Sequence, residues 1–348
     1  MKQLFLLLST ILAAPLIYAQ NGAESSVLEA ELIFEKAPFK ECHASTIAAT
    51  PGGLVAAWFG GTREKNKDVE IWISRHLNGK WTAPVSVANG IQHKDKRYPT
   101  WNPVLFQIPG GDLLLFYKAG PDPRQWWGML MHSEDNGQTW SEPARLPEDI
   151  LGPVKNKPVL MEDGRLICPS STEPDGWLVH FEITRDFGKT WERVGPINDG
   201  KQYNVIQPSI LKYSGGKLQV LCRSKEGYVI SSWSEDGGHT WSELTPTSMP
   251  NPNSGTDAVT LSNGWQLIVY NHVGKPGNKW GGKRSPLNVA ISQDGLNWSQ
   301  ILVLEDEPGE YSYPAVIQGP DGMVHITYTW KRKSVKYVKV DPEKIDYP

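Results

Sequence analysis

The sequence predicts an all-β chain folded as a six-bladed β-propeller with four-stranded blades. Two interleaved repeats, and the lack of any amphipathic helical stretch between them, carry that expectation. The first repeat is a tryptophan turn, seen as SRHLNGKW (74–81), SEDNGQTW (133–140), TRDFGKTW (184–191), SEDGGHTW (234–241) and SQDGLNW (292–298). It returns roughly every 50–60 residues, the mark of a repeat architecture. The second is a glycine turn, TPGGLV, IPGGDL, MEDGRL, YSGGKL, LSNGWQL and GPDGMV, centred on Gly53, Gly111, Gly164, Gly216, Gly264 and Gly322. Gly-Gly, Asp-Gly and Asn-Gly between apolar runs mark tight hairpins, because such turns need positive φ.

Taken from the N-terminus, residues 1–19 (MKQLFLLLSTILAAPLIYA) read as a secretory signal peptide: Lys2 is the only charge, and small residues precede Gln20. Secretion or export to a periplasm is the expected localisation. The rest, 20–348, is expected to form one propeller domain. VLEAELIFE (27–35) is strand-like and has no partner within the repeats, so it is assigned as the outer strand of the sixth blade, paired with 335–340. Within each unit, strands 1 and 2 flank the glycine turn, as STIAAT and LVAAWF do. Strand 3 runs into the tryptophan turn (VEIWISR, GMLMHSE, LVHFEIT, YVISSWS, NVAISQ), and strand 4 is short. Four-stranded units repeated radially make a propeller. The sixth unit ends without a tryptophan turn, and the N-terminal strand closes the ring.

In the tryptophan turns, Asp135, Asp186, Asp236 and Asp294 are placed to accept backbone N–H bonds, Gly supplies the turn conformation, and Trp plugs a gap between strands. Identical turns spaced around a ring cannot converge on one substrate, so the phrase is scaffold. A net charge of −3 does not suggest nucleic acid as a partner. No run after the leader reaches about 18 apolar residues, which argues against a membrane span. Three cysteines, Cys42, Cys168 and Cys222, allow one disulfide at most. No Cys/His cluster has zinc spacing, and there is no phosphate-binding glycine motif, so neither a metal nor a cofactor is expected.

Strand alternation puts the glycine hairpins and tryptophan turns on one face of the ring, and the segments before strand 1 and between strands 2 and 3 on the other. That second face collects Arg63, Arg97, Lys118, Lys157, Arg223, Arg284 and Arg332 together with tryptophans and tyrosines, although the chain is net acidic. A basic, aromatic funnel suits an anionic sugar. Asn253, Asp257 and Asn271 are candidate hydroxyl binders, and His43 is a candidate proton carrier. Asp68 and Glu173 are candidates for a glycosidase-type carboxylate pair.

The turn S-x-D-x-G-x-T-W resembles the Asp-box of the sialidase superfamily. LGPVKNKP, PNPNSGTD, EYSYPAV and ITYTWKR are similar to stretches of its predicted-neuraminidase branch. The resemblance covers the chain after the leader and implies a six-bladed propeller. It implies that Arg223 and Arg284 match the second and third arginines of a carboxylate-binding triad, that Asp68 matches the acid/base aspartate, and that Tyr311 or Tyr313 matches the nucleophilic tyrosine. Two positions depart from the pattern. His43-Ala44-Ser45 stands where the family has Arg-Ile-Pro, and Gln207 stands where a glutamate activates the tyrosine. Gln207 is therefore assigned to substrate binding. Three functions follow as expectations: an exo-acting glycoside hydrolase-like enzyme on an acidic oligosaccharide; a lyase or dehydratase acting by β-elimination on uronate- or rhamnose-containing oligosaccharides, with His43 working opposite Tyr313 across the channel mouth; and a non-catalytic glycan-binding propeller.

Overall fold

Six antiparallel sheets stand around one axis in the computed structural model, which describes residues 26–348 apart from 276, 278 and 279. The expected signal peptide, residues 1–19, lies outside the described residues. Blade one is Glu41–Thr50, Gly53–Gly61, Glu70–Leu77 and Val85–Ala88. Blade two is Thr100–Gln107, Leu113–Ala119, Trp127–Ser133 and Ala144–Arg145. Blade three is Val159–Leu160, Leu166–Thr172, Leu178–Thr184 and Glu192–Val194. Blade four is Val205–Lys212, Leu218–Ser224, Tyr228–Ser234 and Thr245–Pro250, and blade five is Asp257–Thr260, Gln266–Tyr270, Leu287–Ser292 and Ser299–Glu305. Blade six is Tyr311–Gln318, Val324–Trp330 and Ser334–Val340, completed by Val27–Leu32. That last pairing runs antiparallel from Val27↔Val340 to Leu32↔Lys336, as the sequence predicts.

The first strand of each blade faces the axis, and in four blades it breaks register near its start. The shifts fall between His43 and Thr46, opposite Phe116–Lys118 in blade two, between Ile206 and Ser209, and between Ser312 and Ala315. Each break holds a non-glycine residue at positive φ: Ala44 at 58°, Asn102 at 37°, Gln207 at 56° and Tyr313 at 51°. Such β-bulges re-aim side chains at the rims of closed sheets. Here they turn the entry ends of the inner strands toward the channel mouth.

The tryptophan turns behave as scaffold, and one refinement follows. Each tryptophan wedges against the preceding blade rather than between strands of its own. Trp241 stacks on Phe181 of blade three at 4.4 Å and 16°, Trp191 meets Phe116 of blade two edge-on at 6.4 Å, and Trp81 meets Tyr337 of blade six at 5.2 Å. Trp191 and Trp241 also donate their indole N–H to the carbonyls of Gly188 and Gly238. Among the glycine hairpins, Gly110 (φ 68°) takes the left-handed position in blade two, in place of the expected Gly111. Cys42, Cys168 and Cys222 are all buried free thiols.

The boxes carry their own electrostatic lock. Asp135 accepts from the backbone N–H of Gln138 and Thr139 through Oδ1, and from the Thr139 hydroxyl at 2.6 Å through Oδ2. The Thr139 bonds hold its carboxyl down to about 2. Asp186 reaches about 2 through the equivalent Thr190 bonds. A carboxyl held below its unfolded value of about 3.9 contributes stability that is complete above that pH and lost as pH falls through the folded value. Acid unfolding between about pH 4 and pH 2 should therefore start at higher pH in wild type than in an Asp135→Asn, Asp186→Asn double variant measured relative to its own neutral-pH stability. Parallel acid profiles would contradict the assignment. Trp241→Ala should cost about 3 kcal/mol in urea unfolding, the low end for a truncated core aromatic, because the ring is only half-buried.

Candidate functional site

The bulged strand ends surround a polar cleft of about 390 Å³ lined in part by His43, Asn102, Gln207, Arg223 and Tyr313. Tyr313 stands at its centre. The Arg223 Nη1 donates to the Tyr313 hydroxyl oxygen at 2.5 Å, and the Gln207 amide nitrogen approaches the same oxygen at 3.4 Å. Arg223 can only donate, so its 3.4 Å contact to Gln207 Oε1 fixes the amide with nitrogen toward the phenol. Two donors thus converge on one phenol oxygen. Arg223 is in turn oriented by Asn253, whose Oδ1 accepts from Nε at 2.8 Å and whose Nδ2 donates to the Trp280 carbonyl.

Arg284 completes a cationic pair. Burial and the nearby Arg223 lower its guanidinium to about 10, against the pull of Tyr313 and Glu310. Its Nη1 is shielded from solvent and has no hydrogen-bond partner among the described residues. Behind Tyr313 sits Lys155, which sequence reasoning passed over in favour of Lys157. Its buried amine donates to the carbonyls of Thr256 and Pro314, and burial pushes it down to about 7.

His43 packs its ring against Tyr313, centroids 4.2 Å apart, on the adjoining inner strand. The two are neighbours in contact, not groups facing each other across the mouth as the sequence suggested. The bulges in blades one and six turn both rings into the same seam. Nδ1 meets Thr329 Oγ1 at 2.9 Å, and Nε2 has no hydrogen-bond partner among the described residues. Burial, followed by Arg332, Arg284, Arg223 and Lys155, holds His43 well below the usual imidazole value, so it is a neutral ring. The fixed charge beside it comes from Arg332, which is bound to Glu310 by Nε and to Glu64 by Nη1.

Several expected residues lie elsewhere. Asp68 is exposed outside the cleft. Burial would raise its carboxyl, but the Thr62 hydroxyl and backbone bonds outweigh that and hold it low. Arg63 lies on a shallow exposed groove beside Glu41, Glu64 and Arg332. Arg97 is spent on an ion pair with Glu70 at 2.7 Å. Lys118 is fully buried, donating to the Pro153 carbonyl. Lys157 pairs with the buried Asp257 at 3.0 Å and lines the opposite, glycine-hairpin end of the channel. Asp257 is consumed by Lys157, Ser209 and the Val316 N–H. Asn271 clips the carbonyls of Pro286 and Tyr311. Tyr311 is 1% exposed in the core of blades five and six, because the bulge after Ser312 separates it from Tyr313.

The cleft also holds Glu173 and two pairs of tryptophans. Glu173 lines it without Asp68 as a partner. Burial raises its carboxyl above the usual range, against Arg223, the Trp177 N–H, Lys225 and Arg124. Two edge-to-face tryptophan pairs, Trp101–Trp126 and Trp177–Trp280, stand at 6.0 and 5.5 Å. Of these rings Trp126 belongs to the cluster PRQWWG (123–128) of the blade-two loop, and Trp101 and Trp280 stand in other segments of the same face.

Comparison with known proteins agrees with this frame. The BNR repeat-like domain model matches residues 52–326. The chain is similar to the anhydrosialidase of Macrobdella decora, 25% identical over 241 residues, which is 59% of this chain and 30% of that one. It is similar to the sialidase of Bacteroides fragilis, 22% identical over 224 residues, 55% of this chain and 39% of that one. The matched regions thus span well under half the length of these relatives. Among solved structures, a Dyadobacter fermentans protein of unknown function has a TM-score of 0.75 at 17% identity, covering 90% of this chain and 98% of that one. The intramolecular trans-sialidase of Ruminococcus gnavus has a TM-score of 0.70 at 15% identity, covering 93% and 99%. With the family model spanning most of its length and the same propeller in its structural neighbours, the chain belongs to the BNR repeat-like domain family of the sialidase superfamily.

Proposed function

We propose that this protein is a glycoside hydrolase-like enzyme that removes an acidic sugar from the non-reducing end of an oligosaccharide. One observation carries the reading: Arg223 donates to the Tyr313 hydroxyl in the cleft, and the half-buried Arg284, near enough to feel both, has a shielded Nη1 with no partner among the described residues. Two desolvated guanidiniums without a protein carboxylate between them are a site for an anion, and a sugar carboxylate is the anion that fits a cleft walled by tryptophan. The superfamily likeness and the names of the similar proteins support the same class. The apolar leader supports a setting outside the cytoplasm.

In this reading the carboxylate docks on Arg284 and Arg223, which places the anomeric carbon over Tyr313. The Tyr313 hydroxyl passes its proton to the neutral His43 beside it, and the phenolate, held by Arg223 and Gln207, attacks the anomeric carbon as the glycosidic bond breaks; Glu173, whose carboxyl burial raises, gives its proton to the leaving oxygen. Water then adds at the anomeric carbon, losing its proton to the Glu173 carboxylate, and Tyr313 leaves, recovering its proton from His43.

A second reading is favoured by two specific observations, Gln207 in place of a carboxylate base and a neutral His43 beside Tyr313. In β-elimination, His43 Nε2 takes the proton α to a uronate carboxylate. The C4–O bond breaks as the C4–C5 double bond forms, and Tyr313 or Glu173 protonates the departing oxygen. The arginines then neutralise the enolate-like charge. Purified protein should be incubated with uronate- and sialate-capped oligosaccharides and the products read by mass and ultraviolet absorbance. Products that together carry one added water support hydrolysis; an unsaturated, absorbing product supports elimination; binding without turnover contradicts both.

Arg223→Ala and Arg284→Ala should each weaken an acidic-sugar ligand by about 2–5 kcal/mol in calorimetry, and a carboxyl-reduced analogue by much less. Equal losses for both ligands would show that these arginines do not read charge. His43→Ala should lower turnover by roughly 10²–10⁴ with little change in binding if the ring moves a proton. Because His43 is held neutral, the acid limb of kcat/KM for the free protein should lie below about 6.5. Full activity in His43→Ala, or an acid limb above that value, would remove His43 from the chemistry.

A further inference from the structure

The seam where the N-terminal strand closes the ring brings together three side chains far apart in sequence. Alternation along Val27–Leu32 leaves Glu29 and Glu31 partly buried on one face while Leu28 and Ala30 are exposed on the other. From blade one, His76 at the end of Glu70–Leu77 reaches the same spot. One oxygen from each carboxylate and one ring nitrogen of His76 all lie within 4.8 Å of one another.

Among the described residues no cation compensates these groups, and the Trp81 indole is the one group that favours the Glu31 charge. Glu31 Oε1 and His76 Nε2 are both shut off from solvent with no hydrogen-bond partner among the described residues. The nearest cation on the neighbouring strand, Lys339, is committed to Asp321 at 2.9 Å. The Tyr337 hydroxyl, on the residue opposite Glu31, is held by His325 at 2.8 Å. Trp81 closes over the His76 ring, with centroids 5.0 Å apart. Two adjacent carboxylates with no cation between them repel each other, and a shielded imidazole nitrogen without a partner is costly.

We propose that Glu29, Glu31 and His76 form a divalent transition-metal site that pins the N-terminal strand to blade one. Two carboxylate oxygens and one imidazole nitrogen suit a borderline ion such as zinc, with water completing the shell. In a tetrahedral shell, zinc–oxygen and zinc–nitrogen bonds of about 2.0–2.2 Å put ligand atoms roughly 3.3–3.6 Å apart, so the three side chains would draw together by about 1 Å to reach it. None of the three residues lines the substrate cleft, and the ion acts on ring closure rather than on sugar. Because Glu29 and Glu31 lie on the outermost strand of blade six and His76 on blade one, the ion would cross-link two blades that share no backbone pairing through these strands.

The test uses the full chain, stripped with chelator, dialysed and titrated with zinc chloride alone. Calorimetry and elemental analysis should give one equivalent of zinc per chain, and the thermal midpoint should rise by a few degrees at saturation. Glu31→Gln, close in shape to the native side chain, and His76→Gln should each weaken binding by tenfold or more and abolish the midpoint shift, with circular dichroism confirming the β fold. Should either variant fail to fold, Glu29→Gln must give the same loss. No stoichiometric binding, or binding and midpoint shift retained in the folded variants, would overturn the site; in that case the two carboxylates share a proton instead.

Discussion

Four innermost strands lose their ladder register at the same height, and the residues that do so are the ones that face the cleft. A non-glycine residue at positive φ costs of order 1–3 kcal/mol and persists only where the surroundings enforce it. Ala44, Asn102, Gln207 and Tyr313 all sit there. Regular strands would send their side chains alternately into the channel and into the blade. The bulges break that alternation, put His43 beside Tyr313, and send Tyr311 into the core. The rest of the molecule, six sheets with wedged tryptophans, supplies the rigidity that holds these turns in place.

Charge follows the same division. Around Tyr313 stand Arg223, Arg284, Arg332 and, behind it, the buried Lys155; of these, Arg332 is paired with Glu310 and Glu64. Further down the axis, Lys157 and Asp257 cancel each other. In the proposed function, this positive surround above a neutral interior is what would hold an anion at Tyr313. Burial, reinforced by the same cations, keeps His43 neutral. Gathering another cation there would add repulsion to a group already deprived of water.

The architecture was legible because turn chemistry is local. The glycine hairpins and tryptophan boxes each declare themselves within eight residues, and their count fixed both the blades and the role of residues 27–35. The side-chain roles were legible where a motif carried them, even at the bulged starts of the inner strands. Arg223, Tyr313, His43 and Gln207 were placed by motif and meet in space. Lys118, Lys157 and Asn271 were placed by loop position, Asp68 and Tyr311 by the resemblance; burial takes Lys118, an ion pair Lys157, two backbone carbonyls Asn271, Thr62 Asp68 and the bulge Tyr311. Glu173 was named from its loop, but its raised carboxyl depends on burial that only the fold supplies, against the opposing pull of Arg223 and the Trp177 N–H. Likewise no spacing rule could reveal Glu29, Glu31 and His76 together, since the contact exists only once the ring closes.

The most direct measurement is a crystal structure of the protein with a uronate-capped disaccharide bound, using Tyr313→Phe to slow turnover. The account predicts the sugar carboxylate between Arg223 and Arg284, with the scissile bond over position 313 and Glu173 near the linking oxygen. A carboxylate bound instead at Arg124 and Lys225, or a sugar seated at the glycine-hairpin end of the channel near Lys157, would contradict it.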